Sequence, residues 1–351
     1  MVVHSNGSGR ITERSQTFSF SGRESDTFEL NCSVPQGSVI GPVEFIAYTE
    51  DVVDIFKRQC MSYHLYADDK LIYRADVINN AALTRQRLHD CVDDVASWCS
   101  SRRLQLNDAK TELEWFGSRA NLAKLIGVDC SLSIGDTTIQ PSSVVRYLGV
   151  LLDRELTLRQ HVGKIASICY YHIRRLRKIC RYAGRDIAKQ LMFAFVLSRL
   201  DYCNGILAGL PKSTLSTLQH VQNAAARLVL NLRPREHITE ALRQLHWLPI
   251  EQRIQFKLCL LMHNIQHGRC PNYIAQTVKA TSTHSSRPGL RSASTASYTT
   301  PRLRTVMGER AFSCAGPKAW NSLPAYLHHI ESTATFKRQL KTFFFNYIFR
   351  K

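Results

Sequence analysis

Tyr66-Ala67-Asp68-Asp69 sets two adjacent carboxylates between two short runs, Ser62-Tyr63-His64-Leu65 and Leu71-Ile72-Tyr73. Aromatic and branched residues on either side of a tight polar turn predict a β-hairpin. Carboxylates at a hairpin tip are hard oxygen donors of the kind that suit Mg²⁺. Phosphoryl transfer uses such donors, because two metals about 4 Å apart activate an attacking oxygen and stabilise the leaving one. The plainer account of the same tetrapeptide is a solvated acidic turn.

Upstream, Pro35-Gln36-Gly37-Ser38-Val39-Ile40-Gly41-Pro42 precedes an apolar run, Phe45-Ile46-Ala47-Tyr48, and then Val52-Val53 and Ile55-Phe56. The spacing predicts one helix from about Ser38 to Lys57. Gly37 near its start lets a base pair or phosphate approach the backbone, and Gln36 offers an amide donor and acceptor there. An ordinary Gly/Pro loop ahead of a core helix has the same composition.

Together, Pro35-Gln36-Gly37-Ser38 and Tyr66-Ala67-Asp68-Asp69 resemble motifs B and C of reverse transcriptases. Leu106-Asn107-Asp108-Ala109-Lys110-Thr111-Glu112 resembles motif D. Arg146-Tyr147-Leu148-Gly149-Val150-Leu151-Leu152-Asp153 resembles the segment around motif E. Order and spacing are similar to those of non-LTR (LINE-type) retrotransposon polymerases, and the resemblance runs from about Ile11 to the C-terminus. It implies an RNA-directed DNA polymerase ancestry. By that resemblance Asp68 is the main metal ligand with Asp69 beside it, and Tyr66 packs near the primer terminus. Gln36 and Gly37 lie against the incoming nucleotide and its template base. Lys110 matches a lysine that protonates or neutralises the leaving pyrophosphate; a surface lysine in a helix-to-strand turn is the equal alternative. Arg146 and Gly149 belong to a primer grip. The implied cofactor is Mg²⁺ or Mn²⁺. The implied partners are an RNA template with a DNA primer, or an RNA–DNA duplex, and deoxynucleotide triphosphates.

Departures from the family pattern matter as much. A third carboxylate is expected on a strand well upstream of the Gln-Gly turn, yet only 35 residues precede Gln36 and none reads that way. Asp26 falls instead in the strand pair just before that turn. Fingers and the motif A carboxylate are therefore expected to be missing, as are an endonuclease and a ribonuclease H domain. Lys70 stands where the family has a smaller, uncharged residue and is placed to form an ion pair with the acidic tip. The expectation is a truncated LINE-type reverse transcriptase, inactive or weakly active alone, so that enzyme status stays open. The alternative is a non-catalytic nucleic-acid-binding remnant; a decayed copy without selected function is a third reading.

Composition fits a polyphosphate partner. Lys plus Arg number 46 against 28 Asp plus Glu, a formal net charge of +18 over 351 residues. Basic residues near phosphates release condensed counterions. The eleven cysteines make no C-x-x-C pair and no Cys-His knuckle spacing, which argues against a structural zinc. The odd count and the lack of a signal peptide point to reduced thiols inside the cell, in nucleus or cytoplasm. No uncharged apolar stretch has membrane-spanning length; Gln190 to Leu210 is broken by Arg199, Asp201 and Asn204. No membrane partner is expected, and the oligomeric state is not legible.

The elements that must hold these residues follow from periodicity. Thr17 to Phe20 and Thr27 to Leu30 predict short strands. Val77 to Leu104 predicts an amphipathic helix with Leu83, Leu88, Val92, Val95 and Trp98 on one face. Leu113 to Phe116, Leu132 to Ile134 and Ser142 to Leu152 read as strands, and from about Thr157 the pattern is almost wholly helical. The predicted fold is α+β: a partial right-hand polymerase palm, an antiparallel sheet with packed helices, followed by a helical thumb and a mostly helical C-terminal region. The predicted division is a polar N-terminal segment (1–20), a partial palm (21–155), a basic thumb and connection (156–280), a Ser/Thr/Arg-rich linker (281–300) and a C-terminal tail (301–351). Between Lys164 and Lys189 stand eight basic residues and one acidic residue, Asp186. Ile165, Ile168, Ile173, Leu176 and Ile179 form an apolar underside there, and Tyr170, Tyr171 and Tyr182 are interspersed. Phe336 to Lys351 reads as a helix packed back on the domain, and Trp247 and Trp320 as core anchors.

Overall fold

Alternation of polar and apolar residues before residue 30 yields short antiparallel strands. β1 (Val2–Asn6) pairs with β2 (Ser15–Phe20), and β3 (Arg23–Glu24) and β4 (Phe28–Glu29) both pair with β2. The computed structural model describes residues 2–6, 15–29, 39–233, 235–281 and 297–349. They fall into two units, one spanning 1–111 and 129–140, the other 112–128 and 141–351.

In the first unit the single helix predicted over 38–57 is two: α1 (Gly41–Thr49) and α2 (Val52–Arg58). The break has a local cause. Thr49 Oγ1 donates back to the Phe45 carbonyl at 2.8 Å, and the next amides, Val53 and Asp54, reach only three residues back, to Glu50 and Asp51. Hydroxyl back-bonding of this kind bends or interrupts helices. Val52, Ile55 and Phe56 are buried against Cys91, Val95 and Cys99 of α3 (Ala81–Ser101). Of the predicted α3 face, Val92 and Val95 are buried and Leu88 and Trp98 pack against this core, while Leu83 is exposed; Thr84, Cys91 and Cys99 complete the buried side. β5 (Ser62–Tyr66) and β6 (Asp69–Tyr73) form the predicted hairpin, and Tyr63 and Ile72 rest on this core. A further hairpin, β7 (Leu132–Ile134) with β8 (Thr137–Ile139), presents Leu132 and Ile134 to the interior.

In the second unit Leu113 to Phe116 forms no strand. It makes one parallel bridge, Leu113 with Pro141. Proline has no N–H to continue a ladder, which confines the pairing to that point. α4 (Arg119–Ala123) is capped by Ser118 Oγ. β9 (Val144–Tyr147) and β10 (Val150–Asp153) form a hairpin in place of one long strand. Helices then dominate, as predicted. α5 (Arg159–Cys180) is followed by α6 (Arg185–Met192), which runs through a π turn (Phe193–Leu197) into α7 (Ser198–Asp201). Pro211 and Pro249, the predicted breaks, stand at the N-caps of α8 (Lys212–Leu230) and α10 (Ile250–Gln266), with α9 (Ile238–Leu245) between them. Proline is well suited to a helix entrance because the missing N–H would be unpaired there anyway. α11 (Asn272–Ala275), α12 (Val306–Arg310), α13 (Phe312–Asn321), α14 (Ala325–His328) and α15 (Thr333–Phe349) complete the unit.

Two cores hold these helices. One joins α5, α6 and α8 through Cys169, Ile173, Met192, Leu218 and Val221; Trp247 is 5% exposed within it. The other gathers Cys259, Met262, Leu327, Phe336 and Leu340 around fully buried Trp320. Each wholly buried large apolar side chain contributes about 1.5–3 kcal/mol. Trp247 and Trp320 are thus core residues, and α15 packs its Phe336, Leu340 and Phe344 inward, as predicted. Ile179 departs from expectation, since it is 52% exposed at the end of α5. Most of the predicted linker, 282–296, lies outside the described residues; beyond it Tyr298 is buried and bridges to Ala280. Among the described residues no helix is long and apolar enough to cross a membrane.

Candidate active site and nucleic-acid face

The acidic tip owes its shape to the register of β5 and β6. Tyr66 lies opposite Asp69, so Ala67 and Asp68 form a two-residue turn. Ala67 has φ +53°, the positive value that primed hairpin turns require at their first central residue. An L-residue there costs about 1–2 kcal/mol, a strain of the kind that collects at working sites. Strand alternation then assigns faces. Tyr63 and Ile72 point to the core, with Phe56 5.1 Å from the Tyr63 ring. His64, Tyr66, Asp69 and Tyr73 share the outer face, where His64 and Tyr73 stack at 5.5 Å.

Asp68 and Asp69 are both exposed, and among the described residues neither carboxylate is taken up by a hydrogen bond or an ion pair. Lys70 does not neutralise them. Its ammonium donates to the main-chain oxygen of Asp68 at 3.3 Å, and its side chain lies on the opposite face from Asp69. The expected ion pair is therefore replaced by a contact that braces the turn. No group of three or more His, Cys, Asp or Glu is placed to hold a metal ion among the described residues. The donor set still fits a hard cation of the Mg²⁺ type, which takes one or two carboxylates and completes its shell with water and substrate phosphates.

Lys110 lies in a short 3₁₀ turn, Asp108–Lys110, exposed and with no hydrogen-bond partner for its ammonium among the described residues. Tyr66 is 65% exposed beside the acidic tip. Gln36 and Gly37 lie outside the described residues. Thus Tyr66, Asp68 and Asp69 are brought together, and Lys110 shares their unit.

Arg146 and Gly149 belong to the second unit, on the β9–β10 hairpin. Its turn residues, Leu148 (φ +44°) and Gly149 (φ +81°), both take positive φ, as a type I′ turn demands. A leucine at such a position needs external support, and Tyr202 supplies it: its hydroxyl donates to the Leu148 carbonyl at 2.7 Å. Tyr202→Phe should lower stability by about 1 kcal/mol and speed amide exchange at the hairpin tip; urea titration and hydrogen exchange measure both. The Arg146 side chain is exposed, while its N–H donates to Glu112 Oε2 at 2.9 Å.

The exit from this hairpin is fixed by Asp153, whose carboxylate accepts from the Thr157 and Leu158 amides at 2.9 and 2.7 Å. Leu151 N–H donates to Nδ1 of buried His161 at 3.4 Å. Burial pushes the His161 pKa down, so the ring stays a neutral acceptor near pH 7. On α5 and the start of α6 all eight basic residues from Lys164 to Lys189 are exposed, while Ile173 and Leu176 are buried. Tyr171 and Tyr182 stand in solvent with the cations, and Tyr170 packs against the core. Tyr202 carried no signal in the sequence, and Glu112 and Asp153 were read only as members of the motif D and motif E segments, not as positioning residues. Asp153, six residues before the first residue of α5, was the one with a local signal, that of an acid leading into a helix.

Residues 8–152 match the family model for reverse transcriptase (RNA-dependent DNA polymerase). That span encloses the acidic hairpin and both residues of the β9–β10 turn. The chain therefore carries a reverse transcriptase domain. Among curated proteins it is 26% identical over 215 residues to a probable RNA-directed DNA polymerase from transposon BS of Drosophila melanogaster, covering 57% of this chain and 22% of that protein. The RNA-directed DNA polymerase from mobile element jockey of the same organism is 26% identical over 160 residues, 44% of this chain and 17% of the relative. A probable RNA-directed DNA polymerase from transposon X-element is 24% identical over 208 residues, 56% and 21%. The chain is similar to these LINE-type, non-LTR retrotransposon reverse transcriptases, and it spans about a fifth of the length of these curated relatives.

Proposed function

We propose that this chain contributes the catalytic hairpin and the duplex-holding helices of an RNA-directed DNA polymerase. The observation that carries this reading is a pair of exposed, unengaged carboxylates at a strained two-residue tip, inside the segment that matches the reverse transcriptase family. In it, the first unit corresponds to part of a right-hand palm, and α5 with the helices after it to the thumb and connection. Asp68 and Asp69 are the residues that would hold a divalent cation, Mg²⁺ or Mn²⁺. Bound there, such a cation would supply activation of the primer 3′-hydroxyl and charge stabilisation on the α-phosphate of a deoxynucleotide triphosphate. Tyr66 lies against the primer end, and Gln36 and Gly37 against the nascent base pair. Lys110 donates a proton to the leaving pyrophosphate, and Arg146 and Gly149 steady the primer strand.

The second reading, a nucleic-acid-binding protein without polymerase activity, is favoured by the row of exposed cations on α5 and α6. Both readings share salt-sensitive binding of an RNA–DNA hybrid. With 6–10 phosphate contacts, affinity should fall on the order of 10³-fold or more between 50 and 200 mM salt. The deciding experiment is primer extension by the full chain on an RNA template, with Mg²⁺, Mn²⁺ or chelator. Extension that needs both template and cation supports the polymerase. Binding without extension moves the assignment to the second reading. Absence of both overturns the two together.

A further inference from the structure

A cavity of about 400 Å³ opens among α6, α7, α10 and α15, lined by none of the residues assigned above to the hairpin tips. Its volume lies in the range of small-molecule sites. One wall is a single face of the continuous α6–α7 helix, where Lys189, Phe193 and Asp201 fall on residues spaced by multiples of four. The π turn from Phe193 to Leu197 lies within that wall, and π turns inside α-helices occur frequently at functional sites.

The charges of this cavity are unbalanced. Asp201 is fully occupied by Arg253, which donates from Nε and Nη2 at 2.8 and 2.6 Å. Lys189 and Lys341 then face the cavity with no carboxylate within 4 Å among the described residues. Desolvation, followed by the positive charges of Arg253 and Lys189, holds the Lys341 ammonium below the usual lysine range. Phe193, 59% exposed, and Phe256 add flat apolar surface.

We propose that this cavity binds a phosphate-bearing nucleoside, with its phosphate at Lys189 and Lys341 and its base against Phe193 and Phe256. Lys189 and Lys341, with Lys257 on the same lining, stand beside an arginine and favour a dianion over a single carboxylate, and the phenyl walls favour a ring. A mononucleotide meets both. It can be free in solution or be the 5′-phosphorylated end of a strand.

Equilibrium dialysis of the full chain with AMP tests this. Saturable binding at one site is expected, weakened about tenfold or more in Lys341→Gln and in Lys189→Gln, and unchanged in Lys124→Gln on the exposed surface. Inorganic phosphate should compete at least tenfold less well than AMP. A 5′-phosphorylated oligonucleotide that displaces AMP, when its unphosphorylated counterpart does not, assigns a strand end as the occupant; displacement by free nucleotides alone assigns those. On the unaltered chain, AMP should protect Lys341 from acetylation by acetic anhydride. Three results each overturn the proposal: no saturable binding, equal competition by phosphate, or binding indifferent to both lysine substitutions. None of them bears on primer extension, so failure here leaves the polymerase reading standing.

Discussion

Asp68→Asn is expected to lower template-directed extension on the order of 10³-fold or more while changing hybrid affinity less than about twofold. The substitution keeps size and hydrogen-bonding capacity and removes only the charge. Members of a catalytic unit act together, so the loss of one costs nearly as much as the loss of all. Asp68 sits in the turn itself, and Asp69 opens β6 opposite Tyr66, so both project from one rigid two-residue tip. Asp69→Asn should act in the same direction. Lys70→Ala, in contrast, should leave the cation affinity of the tip almost unchanged, because Lys70 holds a main-chain oxygen and no carboxylate. A readout independent of turnover is Mn²⁺ binding by electron paramagnetic resonance in the presence of a deoxynucleotide triphosphate. Asp68→Asn should weaken it about tenfold or more. Extension that survives Asp68→Asn would remove the hairpin from the mechanism.

The acidic hairpin was legible because its determinants are four consecutive residues flanked by strand-forming runs. Turn chemistry and register are then one local decision. The helical second unit was legible for a similar reason: Leu210-Pro211 and Leu248-Pro249 punctuate it in the sequence, and each proline begins a helix in the structure. What escaped was decided by competition or at long range. One threonine hydroxyl divides α1 from α2, against an apolar period that runs through both. Leu83 obeys the helical period, yet the buried face is set by the cysteines that meet α2.

Positioning contacts were the least legible. Tyr202 supports the Leu148 carbonyl from 54 residues away, and Arg253 reaches Asp201 across 52. Nothing in either local sequence marks a partner. The same limit applied to Lys70, whose charge type pointed to an ion pair and whose strand position sent the ammonium to the main chain. The family resemblance carried the assignments of Lys110, Arg146 and Gly149, and geometry places them on exposed turns or strands without deciding their chemistry.

Arg154→Ala is expected to destabilise the chain by about 3 kcal/mol at pH 7 to 8, the low end of the cost of breaking a buried ion pair. Glu114 has a side chain only 2% exposed, whereas Arg154 is 41% exposed, so the arginine is the partner that water can still reach. Arg154 Nε donates to Glu114 Oε1 and to the Ser142 carbonyl, both at 3.0 Å, and Nη2 donates to the Pro141 carbonyl at 3.1 Å. These bonds hold Leu113–Phe116 where strand pairing fails. Burial raises the Glu114 pKa above its ordinary 4.5, and Arg154 pulls it back only in part. A raised folded pKa means that this group's contribution is fully present below about pH 4.5 and is lost as pH rises through the folded value. Without Arg154 that folded value climbs further. The deficit of Arg154→Ala relative to the unaltered chain should therefore be largest near pH 8 and shrink as pH falls towards 5. Adding Glu114→Gln should recover about 1–2 kcal/mol at pH 8, because the buried charge is gone. Urea titrations at the two pH values measure both effects. A deficit that is the same at pH 5 and pH 8, and is not relieved by Glu114→Gln, would assign the role of Arg154 to the Ser142 and Pro141 carbonyls and not to the carboxylate.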